Sequence, residues 1–180
     1  MKKKFLIITA LMLTHFLSAQ KIFWKEGAPL VWENFQGIKN ETGGDNVVAY
    51  TYCGWMYTGM KSTNPNARID IKLQTVFSPE KSWKDPLKIN EEVLNHEQKH
   101  FDIAELFARK LRKEIAEKIK TSRDFDRYFK PLYNRYFADY QKFQDRYDGE
   151  TRHGTNKEKQ LEFNTYIAAE LNKYQQYQES

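Results

Sequence analysis

The most constraining stretch of the chain is Asn95-His96-Glu97-Gln98-Lys99-His100-Phe101-Asp102, which contains H-E-x-x-H. On a helix, residues four apart lie one turn apart on one face, so His96 and His100 can present both imidazoles to a single metal ion. Glu97 sits beside the pair, where it suits a general base acting on a water at the metal. The spacing therefore has a mechanical reason, provided the segment is helical.

The surrounding pattern predicts that it is. Asp85-Pro86 or Asn90 can cap the start, and Glu91 and Glu92 fall in the first turn. Val93, Ala104, Phe107, Leu111 and Ile115 recur at helical spacing. With His96 at zero and a step of about 100° per residue, they fall between roughly 20° and 100°. His100 falls near 40° and Glu97 near 100°, so the two His and the Glu share the core-facing side. Asp102 and Glu105 fall near 240° and 180° and are expected on the outer face. Burying two imidazoles and a carboxylate on an apolar face costs several kcal/mol unless they are paired, and a metal is an economical partner.

The start of the chain narrows the setting. Lys2, Lys3 and Lys4 precede an apolar run from Phe5 to Phe16 and a small-residue end at Leu17-Ser18-Ala19. Residues 1–19 thus read as an export signal, and the run is too short to span a bilayer. No Cys follows the cut, which argues against a lipid anchor, and no later run is long enough to span. The expected destination is the periplasm or the exterior. Residues 1–19 carry three Lys and no acid. Without them Lys+Arg falls from 29 to 26 against 24 acids, and the net charge from +5 to +2. The basicity is largely the signal, so nothing points to nucleic acid.

Residues 20–180 are expected to form one domain. Its only Cys, Cys53, excludes an intramolecular disulfide. With His15 in the signal, three His remain: His96, His100 and His153. A catalytic zinc commonly takes three protein ligands and leaves one position open, which points to His153 as the third. Glu150, Asp148 and Asp145 are the alternatives.

The rest of the pattern predicts an α+β fold. Val47 to Tyr57 is rich in β-branched and aromatic residues. Ala67 to Phe77 alternates, with Ile69, Ile71, Leu73, Thr75 and Phe77 on one face. The two should pair as an antiparallel hairpin, and the second is a candidate edge for strand addition by a peptide. The His-bearing helix should run from about Glu91 to Lys120. A second helix follows the stripe Phe125, Phe129, Leu132, Tyr136, Tyr140, Phe143 and Tyr147, with a kink or a start at Pro131. That stripe reads as core. Tyr147 to Gly154 reads as a loop able to bring His153 opposite the His pair. A last helix is expected over roughly Lys157 to Tyr177. The fold class is thus a small antiparallel sheet packed on a long H-E-x-x-H helix, with two further C-terminal helices, in a zincin-like arrangement.

The order Trp32-x-x-Phe35-x-Gly37, Ser82-Trp83, His96-Glu97-Gln98-x-His100-Phe101-Asp102-Ile103 and Tyr147-Asp148-x-x-Thr151-x-His153-Gly154 resembles a bacterial family of predicted secreted zinc-dependent proteases, long filed as a domain of unknown function. The resemblance covers nearly all of residues 20–180 and departs at Phe163, where the family pattern has Trp. It implies a metallopeptidase with a peptide or protein substrate, Zn²⁺ as cofactor and His96, Glu97 and His100 in the site, with His153 carried over more loosely. The expected mechanism has Zn²⁺ on His96, His100 and His153, Glu97 as base and Tyr147 as oxyanion stabiliser. Two other readings remain open from sequence. One is a non-catalytic module whose metal only pins helix to loop, which would usually need four protein ligands. The other is a metal-free envelope interaction protein.

Overall fold

The computed structural model describes residues 20–39 and 47–179; the expected export signal at residues 1–19 lies outside them. Five strands come first: β1 (Ile22–Phe23), β2 (Ala49–Tyr50), β3 (Cys53–Gly59), β4 (Ile71–Phe77) and β5 (Trp83–Lys84). Helix α1 (Glu91–Lys118) follows, then a short α2 (Ser122–Asp124), α3 (Lys130–Thr151) and α4 (Lys157–Lys173). The architecture is α+β: a small antiparallel sheet and three long helices.

The expected hairpin forms, with Cys53 opposite Phe77 and Gly59 opposite Ile71. Its second strand is not an edge, however. The order is β1-β4-β3, because Ile22–Phe23 pairs with Phe77 and Val76 on the far side of β4. A two-residue strand leaves no alternation to read, so β1 was invisible in the sequence. β2 pairs with β5, which places Trp83 in a strand, fully buried.

Helix α1 starts at Asn90, whose side chain accepts from Val93 N at 3.0 Å. It lies under the sheet, and Trp55 of β3 fastens the two by donating its indole N–H to Ala104 O at 2.8 Å. On its other side pack α3 and α4, which contribute Leu132, Tyr140, Tyr147, Phe163 and Ile167 to the main core. The aromatic stripe is therefore core, as expected. Thr121 caps α2 in a reciprocal arrangement with Asp124, and a π-turn at Phe125–Phe129 leads into α3, with Pro131 in its first turn.

The expectation for Asp102 and Glu105 is overturned. Every residue from Phe101 to Arg109 is buried, because the N-terminal segment and the C-terminal tail wrap the side of α1 that the sheet and α3 leave open. Asp102 accepts from Trp24 Nε1 (2.9 Å), Gln98 Nε2 (2.8 Å) and Lys99 Nζ (2.6 Å). Glu105 accepts from Thr75 Oγ1 (2.6 Å), Arg109 Nε (2.9 Å) and Arg112 Nη1 (2.8 Å). The two guanidinium groups then donate to Leu171 O, Gln178 Oε1 and Tyr177 O, which fixes the tail.

Removing one member of such a cluster strands the others without compensation. Glu105→Gln is expected to lower stability by about 3–5 kcal/mol. Urea denaturation followed by circular dichroism measures it. A loss under about 1 kcal/mol would mean that the cluster does not hold the tail.

Candidate metal centre

Helix α1 delivers the His pair as its spacing predicts. His96 and His100 lie with their Nε2 atoms 3.2 Å apart, and His96 is almost wholly buried. The third group comes from α3. Asp148 Oδ1 lies 3.1 Å from His96 Nε2 and 3.1 Å from His100 Nε2. Among the described residues, His96, His100 and Asp148 form the group whose donor atoms converge tightly enough for one ion. Bonds of about 2.0–2.1 Å at tetrahedral angles separate neighbouring ligand atoms by roughly 3.3 Å. The observed triangle has that size.

Asp148 reaches this position because α3 does not stop where Gly149 suggests. It continues to Thr151, so Tyr147 and Asp148 are helical and project towards α1. The chain then turns sharply through Arg152 and His153 (both φ 51°) and Gly154 (φ 80°). Thr151 anchors the turn, donating from Oγ1 to Tyr147 O at 2.7 Å and accepting from Gly154 N at 3.3 Å. Gly154 is needed twice. Its positive φ disfavours a side chain, and an added Cβ would lie 3.0 Å from His96 Cβ and 3.1 Å from its Cγ.

His153 follows at the cleft mouth. Its side chain is 53% exposed and its Nδ1 is 3.7 Å from Asp148 Oδ1, so it stands beside the triangle. Of the other acids considered, Asp145 lines the same cleft and Glu150 lies near Arg146, at 3.7 Å. Tyr147 is fully buried behind His96, its ring stacked 4.7 Å from the imidazole. Its hydroxyl donates to His96 O at 3.1 Å and accepts from Gln160 Nε2 at 2.8 Å. Tyr147 therefore acts here as a wall that positions His96.

Two glutamines settle the imidazole tautomers. Gln144 Nε2 donates to His100 O at 3.0 Å, so Gln144 Oε1 is the atom facing His100 Nδ1 at 2.6 Å. A carbonyl oxygen accepts only, so Nδ1 carries a proton, and in the neutral ring the lone pair is on Nε2, facing inward. Gln160 does the same for His96, with Oε1 3.0 Å from Nδ1 and Nε2 donating to Asn164 Oδ1 at 2.8 Å. Outer partners of this kind orient metal-binding imidazoles. Two lone pairs and a carboxylate oxygen thus converge at contact distance, a donor set that suits a cation.

Glu97 lies on the floor of the same cleft, almost wholly buried. Thr51 Oγ1 donates to its Oε2 at 2.6 Å. The cleft holds about 580 Å³, between the chain from Val47 to Cys53 and the Tyr140-Gln144-Asp148 face of α3. Cys53 borders it, but burial pushes its thiol up to about 12, so it offers no ready thiolate nucleophile.

The charges follow from this packing. Burial opposes protonation of His100, but the hydrogen bond and charge of Asp148, with Glu97 behind, outweigh it and raise its pKa to about 9. Burial likewise opposes ionisation of Asp148, yet His100 and His96 hold it well below the usual carboxylate range.

Thr51, Gln144 and Gln160 were missed from sequence. A signal existed for Gln144: it shares a helical face with Tyr140, Tyr147 and Asp148 once α3 is carried past Gly149. Thr51 and Gln160 gave none.

The fold and site together define an α+β protein with a helix-borne His/His/Asp group in an open cleft. Residues 34–154 match the family described as a bacterial protein of unknown function (DUF922), and the chain belongs to that family. The matched span holds the His pair, Asp148 and the 152–154 turn; α4, with Gln160, lies beyond it. No curated protein matches the chain, and no solved structure does.

Two predictions follow from the geometry. In the metal-free protein His100 should titrate near 9, measured by NMR of its imidazole carbons. Because its folded pKa is raised, the stability it confers is complete below about 6.5 and lost as pH rises through about 9. Because that of Asp148 is depressed, its share is present above about 3.9 and lost as pH falls towards its folded pKa. A His100 midpoint near 6.5 would rule out the contact with Asp148. Gly154→Ala should displace His96 and lower stability by about 1–3 kcal/mol. An unchanged melting temperature and unchanged His96 chemical shifts would show that the close approach is not a constraint.

Proposed function

We propose that the chain is an exported zinc-dependent hydrolase of the zincin type that cuts peptide bonds. The observation that carries this reading is the convergence of His96 Nε2, His100 Nε2 and Asp148 Oδ1 within 3.2 Å, one residue from Glu97, in an open cleft. Two imidazoles and a carboxylate form a ligand set that zinc uses in hydrolases, with one position left for water or substrate.

His96, His100 and Asp148 would hold the ion. When bound, zinc supplies Lewis acidity that brings the pKa of a water towards neutrality. Gln144 and Gln160 keep both Nε2 lone pairs turned inward, and Tyr147 backs the His96 ring. Thr51 occupies Glu97 Oε2, which leaves Oε1 to take the proton from water and pass it to the leaving nitrogen. His153, at the mouth, stands within reach of a substrate. A structural site would usually be closed by four protein ligands; here three donors converge among the described residues and a cleft opens beside them, which favours catalysis. The Lys-rich start and the apolar run from Phe5 to Phe16 support export. Among the described residues, no helix is long and apolar enough to cross a membrane.

The test is metal content and turnover of residues 20–180. The parent should hold about one zinc, retain it in His153→Ala and lose most of it in Asp148→Ala. Loss in His153→Ala with retention in Asp148→Ala would move the third ligand to His153. Glu97→Gln should keep zinc and lower hydrolysis of a peptide library by about 10²–10⁴-fold. Undiminished cleavage by that variant would remove Glu97 as the base. Absence of zinc from the parent after refolding with zinc would overturn the reading.

A further inference from the structure

The wall of the cleft opposite α3 is a length of backbone with one edge satisfied. Asp85 N donates to Val48 O at 2.7 Å, and Ser78 N donates to Tyr52 O at 3.0 Å. Tyr52 N donates to Ser82 Oγ at 2.9 Å, and Tyr50 pairs with Trp83. Residues 48, 50 and 52 thus direct their backbone groups to the β5 side. In an extended chain neighbouring residues direct theirs to opposite edges. Ala49 and Thr51 therefore present N–H and C=O on the other edge, and both line the cleft above His96 and Glu97. The next residue on that edge, Cys53, is already capped: Tyr140 donates its hydroxyl to Cys53 O at 3.2 Å.

We propose that this short edge, Ala49 to Thr51, receives the substrate as one added strand, and that Tyr140 ends the ladder at Cys53. The occupant is an extended peptide, because only a polypeptide backbone alternates donors and acceptors at the spacing the edge offers. Thr51 serves both parts of the site, with its side chain on Glu97 and its backbone towards the peptide. The inference rests on the hydrolase reading and deepens it, since it replaces β4, which is paired on both sides, by a specific edge.

The test separates the two. Calorimetry on the zinc-loaded chain compares acetohydroxamate, which grips only the metal, with N-acetyl-trialanine hydroxamate and its singly N-methylated forms. The peptide should bind about tenfold tighter or better than acetohydroxamate. N-methylation should erase that gain at alternate amides and leave it at the amide between them. Equal affinity for every hydroxamate, or a loss without alternation, overturns the added strand while leaving the open metal intact. No hydroxamate binding to zinc-loaded protein overturns the hydrolase reading and the edge with it.

Discussion

Everything in this molecule depends on helix α1 being enclosed. From Phe101 to Arg109 no residue is exposed, so this stretch of the helix has no solvent face on which to leave its charges. Each charge on it needs a partner, and the partners determine what packs around it. Glu105 draws in Thr75 from the sheet and two arginines from its own helix. Those arginines then draw in the tail. Asp102 draws in Trp24, which directly follows β1. Enclosure makes these polar contacts obligatory, because an unpaired buried charge costs several kcal/mol.

The end of α1 that bears the His pair is held as closely. His96 is held by Tyr147 across its face, by Gln160 at Nδ1 and by Gly154 against its Cβ. His100 is held by Gln144, which also bonds the His100 carbonyl. Little reorganisation remains for a ligand to impose, and preorganisation of this kind lets weak single contacts add up to tight binding. Glu97 is the one acid on this floor that is tied to the sheet, through Thr51.

Much of this was legible in the sequence, and the failures have identifiable causes. Period and spacing placed His96, Glu97 and His100 together, because one turn of helix is a local property. They also placed the β3–β4 hairpin and the aromatic stripe of α3. Asp148 remained one alternative among three because Tyr147 to Gly154, with Gly149 inside it, read as a loop. A helical glycine costs only about 1 kcal/mol, and the packing of Tyr147 with the Thr151 hydrogen bond outweighs it. The His153-Gly154 pair was informative, but its structural need lies in the glycine, which lets the turn approach His96. Asp102 and Glu105 were read as outer-face residues because a helical wheel sees one partner surface. The covering groups, Trp24 and the tail, are distant in sequence and carry no periodic signal.

Charge balance at the site gives the last constraint. Glu97, Asp145 and Asp148 bring three carboxyl groups to one cleft, and among the described residues no Lys or Arg lines it. The imidazole Nδ1 protons are committed to Gln144 and Gln160, so neutralisation has to come at the Nε2 positions. Protonating His100 supplies one positive charge against three carboxyl groups. A dication at the same point supplies two and satisfies all three converging donors at once. The raised pKa of His100 and the depressed pKa of Asp148 in the metal-free protein follow from their mutual contact, and the same three donor atoms are close enough together to hold one ion.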